Sequence, residues 1–88
     1  MTKKERNDIL NRYCMILPVN MVTDMEYWMV RNTNILLILP KTIDEEDQYL
    51  LMTLYSGDPD VEINDAIKFR YSEEYDLEQI INYIAMDQ

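Results

Sequence analysis

Histidine is absent from this chain of 88 residues, and cysteine occurs once, as Cys14. The absence of histidine removes the commonest general base and a frequent zinc ligand. A lone cysteine excludes an internal disulfide and is typical of a reducing compartment. Cys14 also lies on the apolar side of a helical pattern, where a free thiol is usually buried. A catalytic thiol, a histidine-dependent triad and a zinc site are therefore not expected.

Glycine and proline are also scarce, with one and three residues respectively. Long flexible linkers are therefore not expected, and neither is a glycine-rich phosphate-binding loop. The hydrophobic fraction of 48% is ample for a core, which argues against disorder. The length and composition together predict a single globular domain that spans residues 1–88.

Long hydrophobic runs are missing as well, since no segment comes near the roughly 18 apolar residues that span a bilayer. No apolar signal segment follows Lys3 and Lys4, so we expect a cytoplasmic protein. The longest aliphatic run covers residues 35–39 and is closed by Pro40. A run without a polar face predicts a strand that is buried on both sides.

Basic residues are few, and their shortage is concentrated in the second half of the chain. There are 17 acidic residues against 8 basic ones, a formal net charge of −9. Residues 1–41 hold six basic and four acidic residues, a net charge of +2, whereas residues 42–88 hold two basic and thirteen acidic residues, a net charge of −11. Such a charge repels phosphate, so direct binding to nucleic acid or to a membrane is not expected, and basic protein surfaces are attracted instead.

The first segment has the signals of a helix. Thr2 and Glu5 have the spacing of a capping box. Apolar residues then recur at helical intervals, with Arg6 and Arg12 on the opposite, polar side. This pattern predicts an amphipathic helix from about residue 3 to residue 15.

A β-hairpin is predicted next. Residues 25–30 and 35–39 are strand-like runs on either side of a short polar segment of turn-forming type. The preceding residues, 18–24, are interpreted as a connector or a short edge strand. Trp28 is expected to be a core anchor rather than a surface hot spot, because a large aromatic contributes so much burial.

Residues 43–55 carry conflicting signals. Thr42 and Glu45 repeat the capping-box spacing, and Gly57 has the position of a helix C-terminal cap. The apolar residues at 49–55 also suit a strand that is buried on both faces. The helix is the favoured interpretation because both ends carry helix signals.

The remaining chain predicts a turn at 58–60, a short extended piece at 61–63 and a strand at 66–71, where apolar and basic residues alternate. Ser72 is expected to cap a helix that runs from residue 73 to about residue 86. The predicted fold is α+β, a small single domain with a short antiparallel sheet packed against two or three helices in the order α-β-β-α-β-α.

No motif in the sequence indicates catalysis or metal binding. Asp58, Asp60 and Glu62 begin like a calcium-binding loop, but the sixth and twelfth positions hold Ile63 and Phe69 instead of glycine and glutamate. A solvated acidic turn is the better interpretation, and weak divalent-ion binding is the alternative. We therefore expect a non-enzymatic protein without a cofactor or a metal.

Interaction with another protein is the function that remains. Spaced carboxylates on a folded domain can imitate a phosphate backbone and occupy a basic nucleic-acid-binding groove, where lysine and arginine serve mainly phosphates. The size, acidity and Asn-, Ile-, Tyr- and Met-rich composition are similar to those of small phage and mobile-element accessory proteins, such as anti-restriction or anti-CRISPR inhibitors. The expected partner is a basic surface, such as that of a host nuclease. The expected partner-binding residues are Asp44, Glu45, Glu46, Asp47, Asp58, Asp60, Glu62, Glu73, Glu74 and Asp76.

Two other interpretations stay open at this point. Acidic residues at helix N-termini stabilise the helices and keep a small protein in solution, so the charge need not serve binding. Alternatively, the abundance of methionine, including Met25, Met29 and Met52, suggests an assembly or immunity-type protein that acts through homo-oligomerisation or toxin neutralisation.

Overall fold

Five antiparallel strands make one sheet in the computed structural model, which describes residues 1–18 and 24–86. They lie side by side in chain order, and three helices accompany them in these residues. The predicted α+β class is confirmed. The elements are α1 (Lys3–Tyr13), β1 (Cys14–Ile16), β2 (Met25–Val30), β3 (Ile35–Pro40), β4 (Tyr49–Leu54), α2 (Pro59–Asp65), β5 (Ile67–Arg70) and α3 (Glu74–Met86).

The central strand β3 is the aliphatic run, and it is buried on both faces as predicted. Leu36, Leu37, Ile38 and Leu39 are each at most 1% exposed. Because successive side chains of a strand point to opposite faces, Leu37 and Leu39 pack in the larger core with residues of α1 and α3. Leu36 and Ile38 pack on the other face in a second cluster with Tyr27.

The predicted hairpin of β2 and β3 is confirmed, with Trp28 opposite Leu37. In its turn, Asn32 takes a positive φ of 62°, which asparagine tolerates better than most residues. The Thr33 N–H and hydroxyl both donate to the Val30 carbonyl and close the turn. Trp28 is only 2% exposed, so it is a core anchor as predicted.

The capping box of α1 is present. The Glu5 N–H donates to the Thr2 hydroxyl oxygen at 3.1 Å, and the Thr2 N–H donates to the Glu5 carboxylate at 3.2 Å. Both bonds hold the pKa of Glu5 below its ordinary value, and the bond with the Thr2 side chain has the larger effect. The helix ends at Tyr13, two residues earlier than predicted, because Cys14 begins β1 and pairs with Val30. Cys14 is fully buried, as predicted.

Arg6 is not on the polar side of α1, where its spacing placed it. Its side chain is 1% exposed, and its guanidinium pairs with the Glu26 carboxylate at 2.6 Å. It also donates to the Pro40 carbonyl and the Asn7 side chain. Burial raises the pKa of Tyr71, and the positive charge of Arg6, together with a hydrogen bond to it, partly offsets that rise. This polar group ties the N-terminal part of α1 to the ends of β2 and β3.

The predicted helix over 43–55 is wrong, and so is its capping box at Thr42. Residues 49–54 form β4, which pairs with β3 on one side and β5 on the other. The physical reason is that the backbone N–H and C=O groups of the buried strand β3 need hydrogen-bonding partners on both of its edges. An apolar strand at 49–54 supplies those partners on one edge and is itself suited to burial. Gly57 takes a φ of +82°, but in the connection after β4 and not at a helix end.

The segment after Gly57 also differs from the prediction. Instead of a turn and an extended piece, it forms the short helix α2, in which the Asp58 carboxylate accepts from the Asp60 N–H as N-cap. The predicted order therefore lacked the strands β1 and β4 and placed its middle helix too early. Most of the segment 18–24, predicted as a connector or edge strand, lies outside the described residues.

The last strand and helix agree with the prediction. Ile67 and Phe69 of β5 are paired with Met52 and Leu50, on the face that carries α1 and α3. The helix α3 begins at Glu74, one residue later than predicted. It packs against α1 on the same face of the sheet, which builds a sheet layer and a helix layer.

Candidate partner-binding site

The register of β4 and β5 brings two acidic segments to one end of the sheet. Tyr49 lies opposite Arg70, and the Tyr71 N–H donates to the Gln48 carbonyl at 3.1 Å. The loop before β4 and the segment after β5 therefore leave the sheet side by side. An open cleft of about 530 Å³ lies between them. We call this part of the molecule the acidic end, and its acids are Asp44, Glu45, Glu46, Asp47, Glu73, Glu74 and Asp76.

Two of these acids bond to other side chains of the domain. The Asp47 carboxylate pairs with Arg70 at 2.7 Å and lies 4.0 Å from the Lys68 amine. The Asp76 carboxylate accepts from the Ser72 hydroxyl at 2.6 Å. The predicted N-cap role of Ser72 is wrong, because α3 begins at Glu74 and its first backbone bond runs from the Leu77 N–H to the Glu73 carbonyl. Arg70 and Lys68 are the only basic residues of the second half, and both lie beside Asp47.

The other acids of this end are exposed. Glu45, Glu46, Glu73 and Glu74 all lie at the surface, and so does Asp44. The Asp44 side chain accepts from the Glu46 N–H at 2.9 Å, which gives the loop a defined turn. The carboxylates of the β3–β4 loop are thus presented by a turn and not, as expected, by the first turn of a helix.

The remaining three predicted residues lie at the opposite end of the sheet, where β4 ends and β5 begins. Asp60 is exposed, and Asp58 caps α2. Glu62 is only 3% exposed, and its carboxylate accepts from the Ser56 N–H at 3.0 Å. The expected role of Glu62 as a surface contact is therefore wrong, because its side chain is buried and holds α2 to the end of β4.

An apolar groove, which sequence reasoning missed, lies beside these three residues. Its volume is about 550 Å³, and it opens on the helix-bearing face of the sheet. Leu54 and Ile67 on its floor are 61% and 56% exposed, and Tyr83 on its wall is 69% exposed. The residues that define the apolar groove are Ile35, Met52, Thr53, Leu54, Tyr55, Ser56, Val61, Glu62, Asp65, Ile67, Phe69, Tyr83 and Ile84.

The alternation of β5 was the signal that could have revealed this groove. Alternation identified Ile67 and Phe69 as one apolar face. The alternation does not indicate whether a helix covers that face along the whole length of the strand. In the structure α3 leaves the Ile67 end uncovered, so a residue assigned to the core by its pattern is at the surface.

Cys14 has the properties of a structural thiol. It is fully buried in β1, and burial raises its pKa to about 12, with Arg31 opposing the rise. The thiolate is the reactive form of cysteine, so the protonated Cys14 is a poor nucleophile at neutral pH.

We expect Cys14 to be labelled by a disulfide reagent at pH 8 at least ~100-fold more slowly in the folded protein than in urea, because both access and thiolate formation are suppressed. Release of the coloured thiol measures both rates. Labelling of the folded protein at a similar rate would contradict this burial.

Metal and membrane features are not found in the part of the chain that the structure describes. No group of three or more His, Cys, Asp or Glu residues in it is arranged to hold a metal ion. None of its helices is long and apolar enough to cross a membrane.

No protein-family model matches the chain, and comparisons with curated proteins and with solved structures likewise find no match. Two surfaces of the domain, the acidic end and the apolar groove, have the features of interaction sites.

Proposed function

We propose that this chain is a non-enzymatic interaction protein whose acidic end binds a basic surface of another protein. The partner class is a nucleic-acid-binding enzyme such as a nuclease, and the chain inhibits it by competing with nucleic acid. One observation carries this proposal: the β4–β5 pairing gathers two acidic segments at one end, while both basic residues of the second half lie beside a single acid, Asp47.

The physical basis of this inhibition is electrostatic. Four exposed carboxylates lie in two connections anchored to neighbouring strands, and that of Glu74 lies at the start of α3, so the five form a negative surface on a fixed support. Lysine and arginine in nucleic-acid-binding grooves bind mainly phosphates, and carboxylates satisfy the same side chains. The net charge of −9 steers the chain toward such a groove, which makes association fast and sensitive to salt.

Trp28 does not supply a surface for the alternative of homo-oligomerisation or toxin neutralisation, which the methionine residues suggested. Trp28 is 2% exposed and packs in the core, so it is not available to a partner copy. The alternative that the acids merely cap helices is also weakened for residues 44–47, because they lie in a loop between strands.

The test is displacement of labelled DNA or RNA from a panel of purified nucleases and polymerases, at low and at moderate salt. We expect displacement from at least one enzyme, weaker at the higher salt. The variant Glu45→Lys/Glu73→Lys is expected to raise the inhibitory concentration by about tenfold or more, because it reverses charge in both acidic segments.

A matched control carries the same change in net charge at the other end of the sheet. The variant Asp60→Lys/Asp65→Lys changes two exposed acids there and is expected to inhibit nearly as well as the parent chain. The proposal fails if no enzyme on the panel is displaced, or if the two variants lose inhibition equally.

A further inference from the structure

The helix layer of this domain is incomplete. The helices α1 and α3 pack together on one face of the sheet. On that face they leave a groove uncovered where β4 ends and β5 begins. Leu54 and Ile67 are more than half exposed there, at 61% and 56%, and Tyr83 of α3 is 69% exposed above them. Exposed apolar side chains that adjoin one another in a groove mark an interaction surface.

We propose that the apolar groove is a docking site for a basic amphipathic helix of a partner protein. The groove is bordered by α3 on one side and by α2 at its end, and its floor is sheet. A sheet face is normally covered by helices side by side, so a helix is the element that completes this layer. An amphipathic helix inserts its apolar stripe into such a groove.

Charge decides the kind of helix. The exposed Asp65 lies on the groove wall and the exposed Asp60 on the same short helix, whereas the Glu62 carboxylate is buried and bonded to the Ser56 N–H. None of the described residues that line the groove is lysine or arginine. The residues that flank the apolar stripe of the occupant are therefore basic, because they adjoin carboxylates in a partly desolvated setting.

A second copy of the chain fits this site poorly. Each copy has a net charge of −9, and its own groove carries the same carboxylates. Two like-charged surfaces repel when they are brought together, so the occupant is a different protein. This site is also separate from the acidic end, since the two lie at opposite ends of β4 and β5.

The experiment titrates the protein into a fluorescently labelled synthetic peptide and records anisotropy. The peptide has roughly 14 residues, a helix of about 21 Å, with leucine at positions i, i+3, i+4 and i+7 and lysine at most other positions. A scrambled peptide of the same composition has no apolar stripe. We expect the amphipathic peptide to bind at least about tenfold more tightly than the scrambled one.

Variants locate the contact. Ile67→Asp and, separately, Tyr83→Asp are expected to weaken peptide binding by about tenfold, although each adds a negative charge. Both positions are exposed, so circular dichroism is expected to remain that of the parent chain. Met15→Asp is the matched control, since Met15 is 54% exposed on the opposite edge strand and the opposite face, and it is expected to leave binding unchanged or slightly stronger.

The proposal is overturned by any of three results. Equal binding of the scrambled peptide shows that charge alone is responsible, and equal effects of Ile67→Asp and Met15→Asp show that the groove is not the contact. A proline-interrupted peptide that binds as well as the helical one excludes a helix. Sedimentation of the protein alone adds a fourth test, because a dimer that Ile67→Asp dissociates identifies a second copy as the occupant.

The acidic-end variant Glu45→Lys/Glu73→Lys keeps the groove intact. It is expected to retain the preference for the amphipathic over the scrambled peptide even where it loses displacement of nucleic acid. The two proposals can therefore fail independently.

Discussion

Replacing Arg6 by methionine is expected to lower the free energy of unfolding by about 3–5 kcal/mol, because it takes from a largely buried carboxylate its closest partner. The Arg6 side chain is 1% exposed and that of Glu26 is 12% exposed, with 2.6 Å between their charged atoms. Among the described residues, Lys3, at 3.3 Å, and the Trp28 indole N–H, at 3.4 Å, also donate to Glu26. They hold the carboxylate less closely than the guanidinium does.

Urea denaturation followed by tryptophan fluorescence measures this loss. The control is Arg12→Met, which breaks a half-exposed ion pair with Glu78 and is expected to cost at most about 1 kcal/mol. The double variant Arg6→Met/Glu26→Leu removes both charges and is expected to recover most of the lost stability. A loss below that of the Arg12 control would contradict the buried ion pair.

The second large effect is expected at Leu37, where Leu37→Ala is predicted to cost about 3–5 kcal/mol. Leu37 is fully buried in the central strand, between Trp28 of β2 and Met52 of β4. Residues of α1 and α3 close the cluster from above, so the surrounding atoms have little freedom to fill the cavity. The cost is the lost transfer free energy together with that of the cavity.

The same substitution on the floor of the apolar groove is the comparison. Leu54→Ala removes the same atoms from a side chain that is 61% exposed, and it is expected to change the free energy of unfolding by at most about 0.5 kcal/mol. Equal losses at the two positions in urea denaturation would mean that Leu54 is covered in the free protein. That result would also remove the basis for a docking site there.

The elements that were predicted correctly are those with a local signal. The capping box at Thr2, the alternation from Ile67 to Arg70 and the uninterrupted run of β3 each specify one structure over a few residues. Residues 49–54 have no such signal, because a short apolar segment suits a strand and a buried helix equally well. The neighbours β3 and β5 decided that case, and each is separated from β4 in the chain, β3 by a loop and β5 by the segment that contains α2.

The candidate site likewise combines features that the sequence shows with features that depend on the tertiary structure. The identity of the acidic residues and the charge imbalance are visible in the sequence. That Glu46 and Asp76 line one cleft, while Glu62 is buried at the other end, depends on the β4–β5 pairing and on the packing of α2. The burial of Arg6 is equally invisible in the helical spacing of α1.

Local pattern therefore determined the class of this fold, its central strand, both terminal helices and the sign of its surface. Tertiary structure alone decided which strands flank the predicted hairpin, which charged residues are buried and where the helix layer stops short of the sheet. The physical reason is that capping and periodicity act within one or two turns, whereas burial is a property of what packs on a residue from elsewhere in the chain. The apolar groove exists because α3 does not extend over Ile67, and no residue near Ile67 encodes that fact.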